Sequence, residues 1–409
     1  MQIKIKNFGP IKDGYQDNNG WLSLNKITVF IGTQGSGKST ITKLVATLIW
    51  LEKALVRGDF KEKDMTLSKF KKQCEYQNID NYFKPDTQIS YKGKAYFFEC
   101  QSNNLSIAKQ QNNHTYQMPK LMYVPAERNF VGAVSNVREL KGLPNTLYTF
   151  ADEFVNAAES LKDKEINLPI NEARFSYQRL NKTASIVGDG YKIKLSESSS
   201  GFQSFVPLFL VTHYLAMSIN EDTNASVKTL SIEEDRRIKK EIQSILSNNN
   251  LSDEIKKATL EQLSARFKKT RFINIVEEPE QNLFPTSQRK VLNCLLTYVN
   301  KIAYNNLIIT THSPYIISYL SIAIQGATLL KKLSSSSNHN ILKEQLRKIV
   351  PIEACVMPEN VVVYELTTDG TIKKLADYEG IPSDNNFLNA HLAEGNELFD
   401  QLLAIEEEL

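Results

Sequence analysis

The feature that most constrains the fold is a glycine-rich loop close to the amino terminus. An apolar run spans residues 27–31, the loop is Gly32–Thr40, and a helical run begins at Ile41. Strand, glycine-rich loop and helix in this order form the context that a phosphate-binding P-loop requires. Backbone N–H groups of such a loop, together with the helix N-terminus, point at a polyphosphate. The sequence therefore predicts a nucleoside-triphosphate site in an α/β fold.

Two side chains of the loop have specific roles in this chemistry. Lys38 can reach the β- and γ-phosphates, and the Ser39 hydroxyl can ligate Mg²⁺. An ordinary glycine-rich turn is the alternative, but every fixed position of the motif is filled between a strand and a helix. The other residues predicted to bind the nucleotide are Gly32, Gln34, Gly35, Ser36, Gly37 and Thr40.

The composition is typical of a globular protein with a reduced, cytoplasmic location. The chain has 409 residues, of which 41% are hydrophobic and 23% are charged. Its 4 cysteines lack CxxC or zinc-ligand spacing. The amino terminus alternates as a strand does and has no signal-peptide core. The longest apolar stretches fall short of the roughly 20 residues that cross a bilayer, so no membrane partner is expected.

Charge is unevenly distributed along the chain. Residues 351–409 hold 13 acidic and 2 basic side chains, whereas the rest holds 47 basic and 33 acidic ones. A basic body with an acidic tail suits a nucleic-acid or acidic-protein partner, or a tail that docks on its own body. A solvated acidic terminal helix explains the tail equally well.

Periodicity and turn residues predict the remaining elements. The helical segment 52–74 is basic and is a candidate for contact with a DNA backbone, although a charged helix face is usually only solvated. The predicted elements are strands within 1–31, a hairpin over 87–105, a strand over 121–124, helices over 132–165, strands over 173–195, a helix over 205–217, a helical hairpin over 229–270, strands over 272–276 and 307–309, a hairpin over 361–375 and a helix over 388–403.

Four strands end in polar or charged residues. These ends are the P-loop, Glu127-Arg128, Glu277-Glu278 and His312. In a parallel sheet they converge on one edge, around the γ-phosphate. Glu277 would then hold Mg²⁺, Glu278 would polarise the attacking water, and His312 would hydrogen-bond the γ-phosphate. The two glutamates could instead merely cap a strand, but adjacent carboxylates are costly to bury without a cation.

Several of these motifs carry a family resemblance that covers roughly residues 1–320. The order P-loop, SSGFQ (199–203), EEP (277–279) and TTHSP (310–314) resembles ABC-type ATPases of the SMC/RecF kind. The spelling EEPEQNLFP (277–285) is similar to the EEPExxLHP of the overcoming-lysogenization-defect (OLD) and related anti-phage ATPases. The stretch YVPAERN (123–129) resembles the ATPase subunits of Septu, retron-associated and PARIS defence systems.

The resemblance implies an ABC-type ATPase head of the P-loop NTPase class, with a mixed sheet, an antiparallel N-terminal β subdomain and helical insertions. The head would span 1–320, with lobe I at about 1–130, a helical lobe II at about 131–270, and lobe I completed by 271–320. Residues 321–409 would form a C-terminal α/β extension with an acidic tail.

By position, Ser199, Ser200, Gly201 and Gln203 match the ABC signature, which in that family binds the γ-phosphate held by the opposite subunit. His312 matches the switch histidine, and residues 282–285 match the D-loop. The resemblance thus implies ATP and Mg²⁺ as cofactors. It also implies a homodimer that encloses two ATP molecules, and catalytic roles for Glu278, His312 and Lys38.

The sequence departs from the family pattern at three places. Glu277 replaces the usual metal-binding aspartate, and Phe284 replaces the usual histidine of LHP. No Q-loop glutamine follows the strand 121–124, where Glu127 and Arg128 are the predicted contacts of the γ-phosphate or Mg²⁺ instead.

What the sequence lacks bears on the chemistry of the chain. Residues 313–409 contain no DxD pair, and no HNH-like histidine cluster occurs, so we expect an ATPase without its own nuclease. The resemblance implies a sensor or scaffold subunit of a prokaryotic anti-phage complex that restrains or activates a separate effector, a nuclease or a toxin. DNA or a phage protein are further candidate partners. A RecF-type DNA-repair ATPase and the nucleotide-binding subunit of a transporter remain as alternatives.

Overall fold

The computed structural model describes residues 1–111, 116–135, 137–219, 232–247, 255–256, 259–260, 263, 268–333 and 338–407. The predicted helical hairpin 229–270 falls only partly within these ranges. Its first helix is described over Ile232–Leu246, and most of the second lies outside the described residues.

Helices and β-strands alternate irregularly along the described chain. The α-helices are α1 (Lys38–Arg57), α2 (Leu67–Glu75), α3 (Asn129–Ala133), α4 (Asn145–Ser160), α5 (Ser200–Ser218), α6 (Ile232–Leu246), α7 (Pro285–Asn300), α8 (Pro314–Leu333), α9 (His339–Ile349) and α10 (Phe387–Glu407). The strands are β1 (Gln2–Phe8), β2 (Gly14–Tyr15), β3 (Leu22–Ser23), β4 (Ile27–Gly32), β5 (Phe83–Lys92), β6 (Tyr96–Gln101), β7 (Asn104–Lys109), β8 (Pro119–Val124), β9 (Ile166–Asn167), β10 (Arg174–Gln178), β11 (Thr183–Gly188), β12 (Tyr191–Lys194), β13 (Arg271–Glu277), β14 (Asn306–Thr311), β15 (Val361–Leu366), β16 (Thr371–Lys374), β17 (Asp377–Tyr378) and β18 (Ile381–Pro382).

A seven-stranded sheet in the order β2-β16-β15-β4-β14-β13-β8 forms the centre of the molecule. Its five strands from β15 to β8 run parallel, and β16 pairs antiparallel with β15. The register places Glu277 opposite Thr310 and Thr311 opposite Ile31. The carboxyl ends of these strands therefore lie at one edge, as the sequence predicted.

The central strands are apolar because both of their faces are buried. On β4, Ile27, Val29 and Ile31 belong to one core cluster, whereas Phe30 belongs to the other. Side chains of α1, β1, β5 and β6 join the Phe30 cluster. Side chains of α4, α5, α7 and α8 join the other cluster. The sheet is thus a layer enclosed between the two, and this fixes the positions of its strand ends.

Two smaller antiparallel sheets flank the central one. The first, β3-β1-β5-β6-β7, lies within the first 109 residues, and the second has the order β12-β11-β10-β9. The predicted α/β class, mixed sheet and antiparallel N-terminal subdomain are confirmed.

Some predicted elements differ from the structure. The helix expected from Phe205 begins at Ser200, because its first turn includes the serine-rich motif. The region 52–74 is not one helix, since α1 ends at Arg57 and α2 begins at Leu67. Two basic residues of this region, Lys53 and Arg57, are buried.

The domain division at residue 320 stays a prediction. The strand β15, which falls in the predicted C-terminal extension, pairs with β4 over residues 361–366. Segments before and after residue 320 therefore share one sheet. Across the described residues, no helix has both the length and the apolar character needed to span a membrane.

Candidate functional site

The P-loop joins the end of β4 to the start of α1. Gly37 caps the helix with φ of 103°, a left-handed conformation that disfavours residues with a Cβ. At Gly32 an added Cβ would lie 2.3 Å from the carbonyl oxygen of Leu366. The neighbouring strand β15 therefore restricts the loop to glycine at its first position.

Lys38 lies inside the curve of the loop. Its Nζ donates hydrogen bonds to the carbonyl oxygens of Gly32 at 2.9 Å and Thr33 at 2.7 Å. Burial lowers the Lys38 pKa to about 8, and the carboxylates at 277, 278 and 280 oppose that shift. Of the other predicted loop contacts, Gln34, Gly35 and Ser39 are exposed, whereas Gly32, Ser36, Gly37 and Thr40 are buried.

Glu277 ends β13 and is almost completely buried. Its Oε2 accepts a hydrogen bond from the backbone N–H of Ala126 at 3.2 Å. Its Oε1 is buried and has no hydrogen-bond partner among the described residues. A buried carboxylate oxygen without a donor is energetically unfavourable unless a cation approaches it. This atom therefore suits the predicted Mg²⁺ contact.

Glu278 and His312 form the polar pair of the site. His312 Nε2 lies 3.2 Å from Glu278 Oε1, and both side chains are about one-third exposed. Glu278 adopts a left-handed φ of 44°, and its N–H donates to the Thr310 carbonyl at 2.8 Å. The hydrogen bond from His312 lowers the Glu278 pKa, so the carboxylate is ionised at neutral pH. An ionised, partly exposed carboxylate can accept a proton from a water molecule or orient it.

Glu280 holds the backbone of His312 by a hydrogen bond, a role that the sequence did not reveal. Its Oε1 accepts the backbone N–H of His312 at 2.7 Å. Burial raises the Glu280 pKa, and its Oε2 has no partner in the described part of the chain. The only signal was its place in the motif EEPE, two residues beyond the predicted base.

Arg128 lies beside the two glutamates, and its guanidinium binds main chain. Its side chain is fully buried, and NH1 donates to the Glu277 carbonyl at 2.6 Å and to the Pro125 carbonyl at 3.3 Å. NH2 donates to the Glu278 carbonyl. Both terminal nitrogens thus bind main chain, so the geometry favours a positioning role over the predicted phosphate contact. Glu127 is exposed beside it.

The serine-rich motif forms the first turn of α5. Ser199 and Ser200 are exposed, and the first-turn N–H groups of a helix lack intrahelical partners. Gln203 hydrogen-bonds its own loop. Its Nε2 donates to the carbonyls of Ser196 at 3.1 Å and Ser198 at 3.0 Å, so its amide braces the loop.

This motif packs on the segment that follows Glu278. A Cβ on Gly201 would lie 3.0 Å from the Asn282 carbonyl oxygen, and Ser204 Oγ donates to Gln281 Oε1 at 3.4 Å. On the other side, a Cβ on Gly132 of α3 would lie 2.4 Å from the Gln203 carbonyl oxygen.

The structure therefore brings together the P-loop, Glu277, Glu278 and His312. Within the described residues, the hydrogen bonds of 199–203 run to their own loop and helix and none reaches Gly32–Thr40.

Comparisons with known proteins give only distant structural similarity. No family model matches the sequence, and no curated protein matches it. The SMC head domain from Thermotoga maritima is 11% identical, covers 78% of this chain and 90% of its own, and has a TM-score of 0.34. An SMC head bound to the C-winged helix domain of ScpA is 10% identical over 78% and 90%, with a TM-score of 0.36.

A dimeric ATP-binding cassette in a post-hydrolysis state, bound to ADP and Pi, is 10% identical. It covers 92% of this chain and 100% of its own, with a TM-score of 0.31. These identities and TM-scores are low, so the function proposed below depends on the residues and geometry of the site.

Proposed function

We propose that this protein is a Mg²⁺-dependent ATPase. The observation that carries the proposal is the common edge of four parallel strands. The sheet order β4-β14-β13-β8 places the P-loop, His312 and the Glu277-Glu278 pair side by side. This is the combination of phosphate cradle, metal-binding carboxylate and base that phosphoryl transfer to water requires.

The residues present fit a nucleotide with a divalent ion. Glu277 Oε1 is a buried acceptor without a donor, and the Ser39 side chain is exposed at the start of α1. No group of three or more His, Cys, Asp or Glu in the described residues could hold a metal. Mg²⁺ bound by one or two protein ligands and substrate phosphates needs no such group. When bound, the ion would neutralise charge on the β- and γ-phosphates.

The chain's own residues supply the remaining chemistry. Lys38 and the N–H groups of 34–39 would hold the phosphates. Glu278 would orient a water molecule and accept its proton. His312, fixed by Glu280, would hold Glu278 and reach the γ-phosphate. Arg128 would fix the backbone that carries both glutamates.

The test is phosphate release from ATP by the full chain. We expect Glu278→Gln to reduce the rate by about 10²–10⁴-fold while ATP binding is retained, because general-base catalysis contributes that much. Glu139→Gln, on an exposed side chain 3.9 Å from Lys182, is the matched control. Hydrolysis by Glu278→Gln at the wild-type rate would refute the base assignment.

We further propose that the active form is an ATP-dependent homodimer. Support comes from the exposed Ser199 and Ser200 at the N-terminus of α5, a position that attracts anions. In the ABC-type ATPases that the motif resembles, it binds the γ-phosphate held by the opposite subunit, so a second copy would supply it here. The two sites would then be equivalent by two-fold symmetry.

The biological role that we propose is that of the ATPase subunit in an anti-phage defence complex. The support is the spelling of 123–129 and 277–285, which resembles such subunits. The dimer would restrain or activate a separate nuclease or toxin. Affinity capture of the chain from cells that carry its neighbouring genes should recover that effector. Tight, salt-sensitive binding of duplex DNA with no captured protein would favour a DNA-repair role instead.

A further inference from the structure

Within the described residues, the contacts that anchor the C-terminal helix α10 lie at its beginning. Asn386 caps it by accepting the N–H groups of Leu388 and Asn389, at 3.0 and 3.1 Å. The N–H of Phe387 donates to Glu365 Oε1 at 2.6 Å, and Leu388 is buried in the core. From 394 to 407 every residue is exposed. The helix therefore extends about 20 Å beyond the contacts that hold it.

The exposed part carries a row of large apolar side chains. We call this row the α10 stripe, and its members are 43–63% exposed. A helix that only solvates the protein would be polar all round. Exposed apolar patches flanked by charges mark interaction surfaces. The α10 stripe consists of Leu398, Phe399, Leu402, Leu403 and Ile405.

The charge of α10 restricts the partner. Residues 387–407 contain no lysine or arginine. Pairing of two α10 helices would place acidic side chains against each other, and like charges across an interface are unfavourable. The occupant of the stripe must therefore be apolar and basic. The acidic residues of α10 are Glu394, Glu397, Asp400, Glu406 and Glu407.

The same chain presents a surface with that chemistry on α9. Ile341 is 65% exposed and Ile349 is 54% exposed. Helical spacing puts both on one face with Lys348, whereas Arg347 lies to one side of that face and pairs with Glu344 at 2.8 Å. Lys343, Arg347 and Lys348 outnumber the single acid of this helix, Glu344. With 11 residues, α9 is about 16 Å long, close to the exposed length of α10.

Within one copy the two surfaces do not cover each other, since the α10 stripe and both isoleucines of α9 are exposed together. We propose that α10 of one copy docks on α9 of a second copy. Under two-fold symmetry the contact forms twice per dimer, with each α10 on the other's α9. The exposed residues of this contact include none of the proposed nucleotide-binding residues, so it would hold two copies together before nucleotide binds.

Charge reversal on full-length protein tests this proposal, with self-association measured by sedimentation velocity without nucleotide. Glu397→Lys combined with Asp400→Lys should weaken association at least about tenfold, and Arg347→Glu with Lys348→Glu should do the same. Combining all four changes should restore association to within about threefold of wild type. Asp64→Lys with Glu75→Lys, at exposed acids elsewhere, is the matched control and should change nothing.

Three results would overturn the proposal. The wild-type chain could be monomeric without nucleotide, or the α10 reversal could leave its association unchanged. The variant with all four charge reversals could also fail to restore association. The partner of α10 would then be another basic protein. Circular dichroism of each variant shows whether it is folded, so that loss of the contact can be told apart from loss of folding.

Discussion

Arg128 offers the sharpest test of how the site is built. Its guanidinium donates hydrogen bonds to the carbonyl oxygens of Glu277 and Glu278. The backbone of Glu278 has the left-handed φ described above. Burial lowers the Arg128 pKa to about 10, so the group remains charged at neutral pH. Each charge-assisted hydrogen bond of this kind contributes about 1.5–3 kcal/mol. Arg128→Lys keeps the charge but loses the planar fork, so at least one of these bonds is lost.

We expect the substitution to lower the free energy of unfolding by about 2–3 kcal/mol and kcat by about 10²-fold, with KM changed less than about threefold. The reason is that Glu278 would shift by a fraction of an ångström, whereas the P-loop would still hold the phosphates. Urea unfolding and steady-state phosphate release measure the two effects. Arg179→Lys, on an exposed arginine between β10 and β11, is the matched control and should change neither.

The split between the two kinetic constants decides between two roles for Arg128. A phosphate contact, as the sequence suggested, would raise KM strongly when it is weakened. A positioning residue lowers kcat instead. If the folded Arg128→Lys protein kept kcat within twofold of wild type, the positioning role would be refuted.

Three further substitutions test separate contacts. Lys38→Ala should weaken ATP binding by at least about tenfold in titration calorimetry, because a charge-assisted phosphate contact is lost, whereas Lys43→Ala on the same helix should not. Gly132→Ala should lower the free energy of unfolding by about 1–3 kcal/mol, because the added Cβ would lie 2.4 Å from the Gln203 carbonyl oxygen. A Cβ added at Gly395 would have no atom within 4 Å, so Gly395→Ala should not lower it. Glu52→Ala should lower the free energy of unfolding in urea by about 3 kcal/mol or more, because Glu52 Oε1 accepts the N–H groups of Lys94, Ala95 and Tyr96 at 2.6–3.1 Å. Glu52→Gln keeps an acceptor and should lower it less. An equal loss for both Glu52 variants would contradict that hydrogen-bonding account.

The strand ends could be predicted because local sequence determines them. An apolar run that stops at glycine or at paired carboxylates is visible without tertiary structure. The strands β4, β13 and β14 end at Gly32, Glu277 and Thr311, each within two residues of the end of the predicted run. Only parallel pairing was then needed to bring the P-loop, Glu277, Glu278 and His312 together.

The roles of Arg128, Glu280 and β15 could not be predicted, because they depend on contacts between distant segments. An arginine after a strand is the same in sequence whether it faces a ligand or the carbonyls of residues 150 positions away. Glu280 is half-buried and accepts the backbone N–H of His312, and the residues next to Glu280 in the sequence do not indicate this contact. The strand β15 pairs with β4 across more than 300 residues, so no local pattern identifies it as a member of the P-loop sheet.

The molar mass of Glu278→Gln with ATP and Mg²⁺, measured with Glu397→Lys and Asp400→Lys also present to remove the proposed α10–α9 contact, tests the central claim most directly. Light scattering should show a stable dimer with two ATP bound, because the variant completes both sites but cannot hydrolyse the nucleotide. Ser200→Arg in the same background should bind ATP without this stabilised dimer, since it blocks the turn that the partner copy would supply. A Glu278→Gln protein that binds ATP as a monomer, or that releases phosphate at the wild-type rate, would contradict the account.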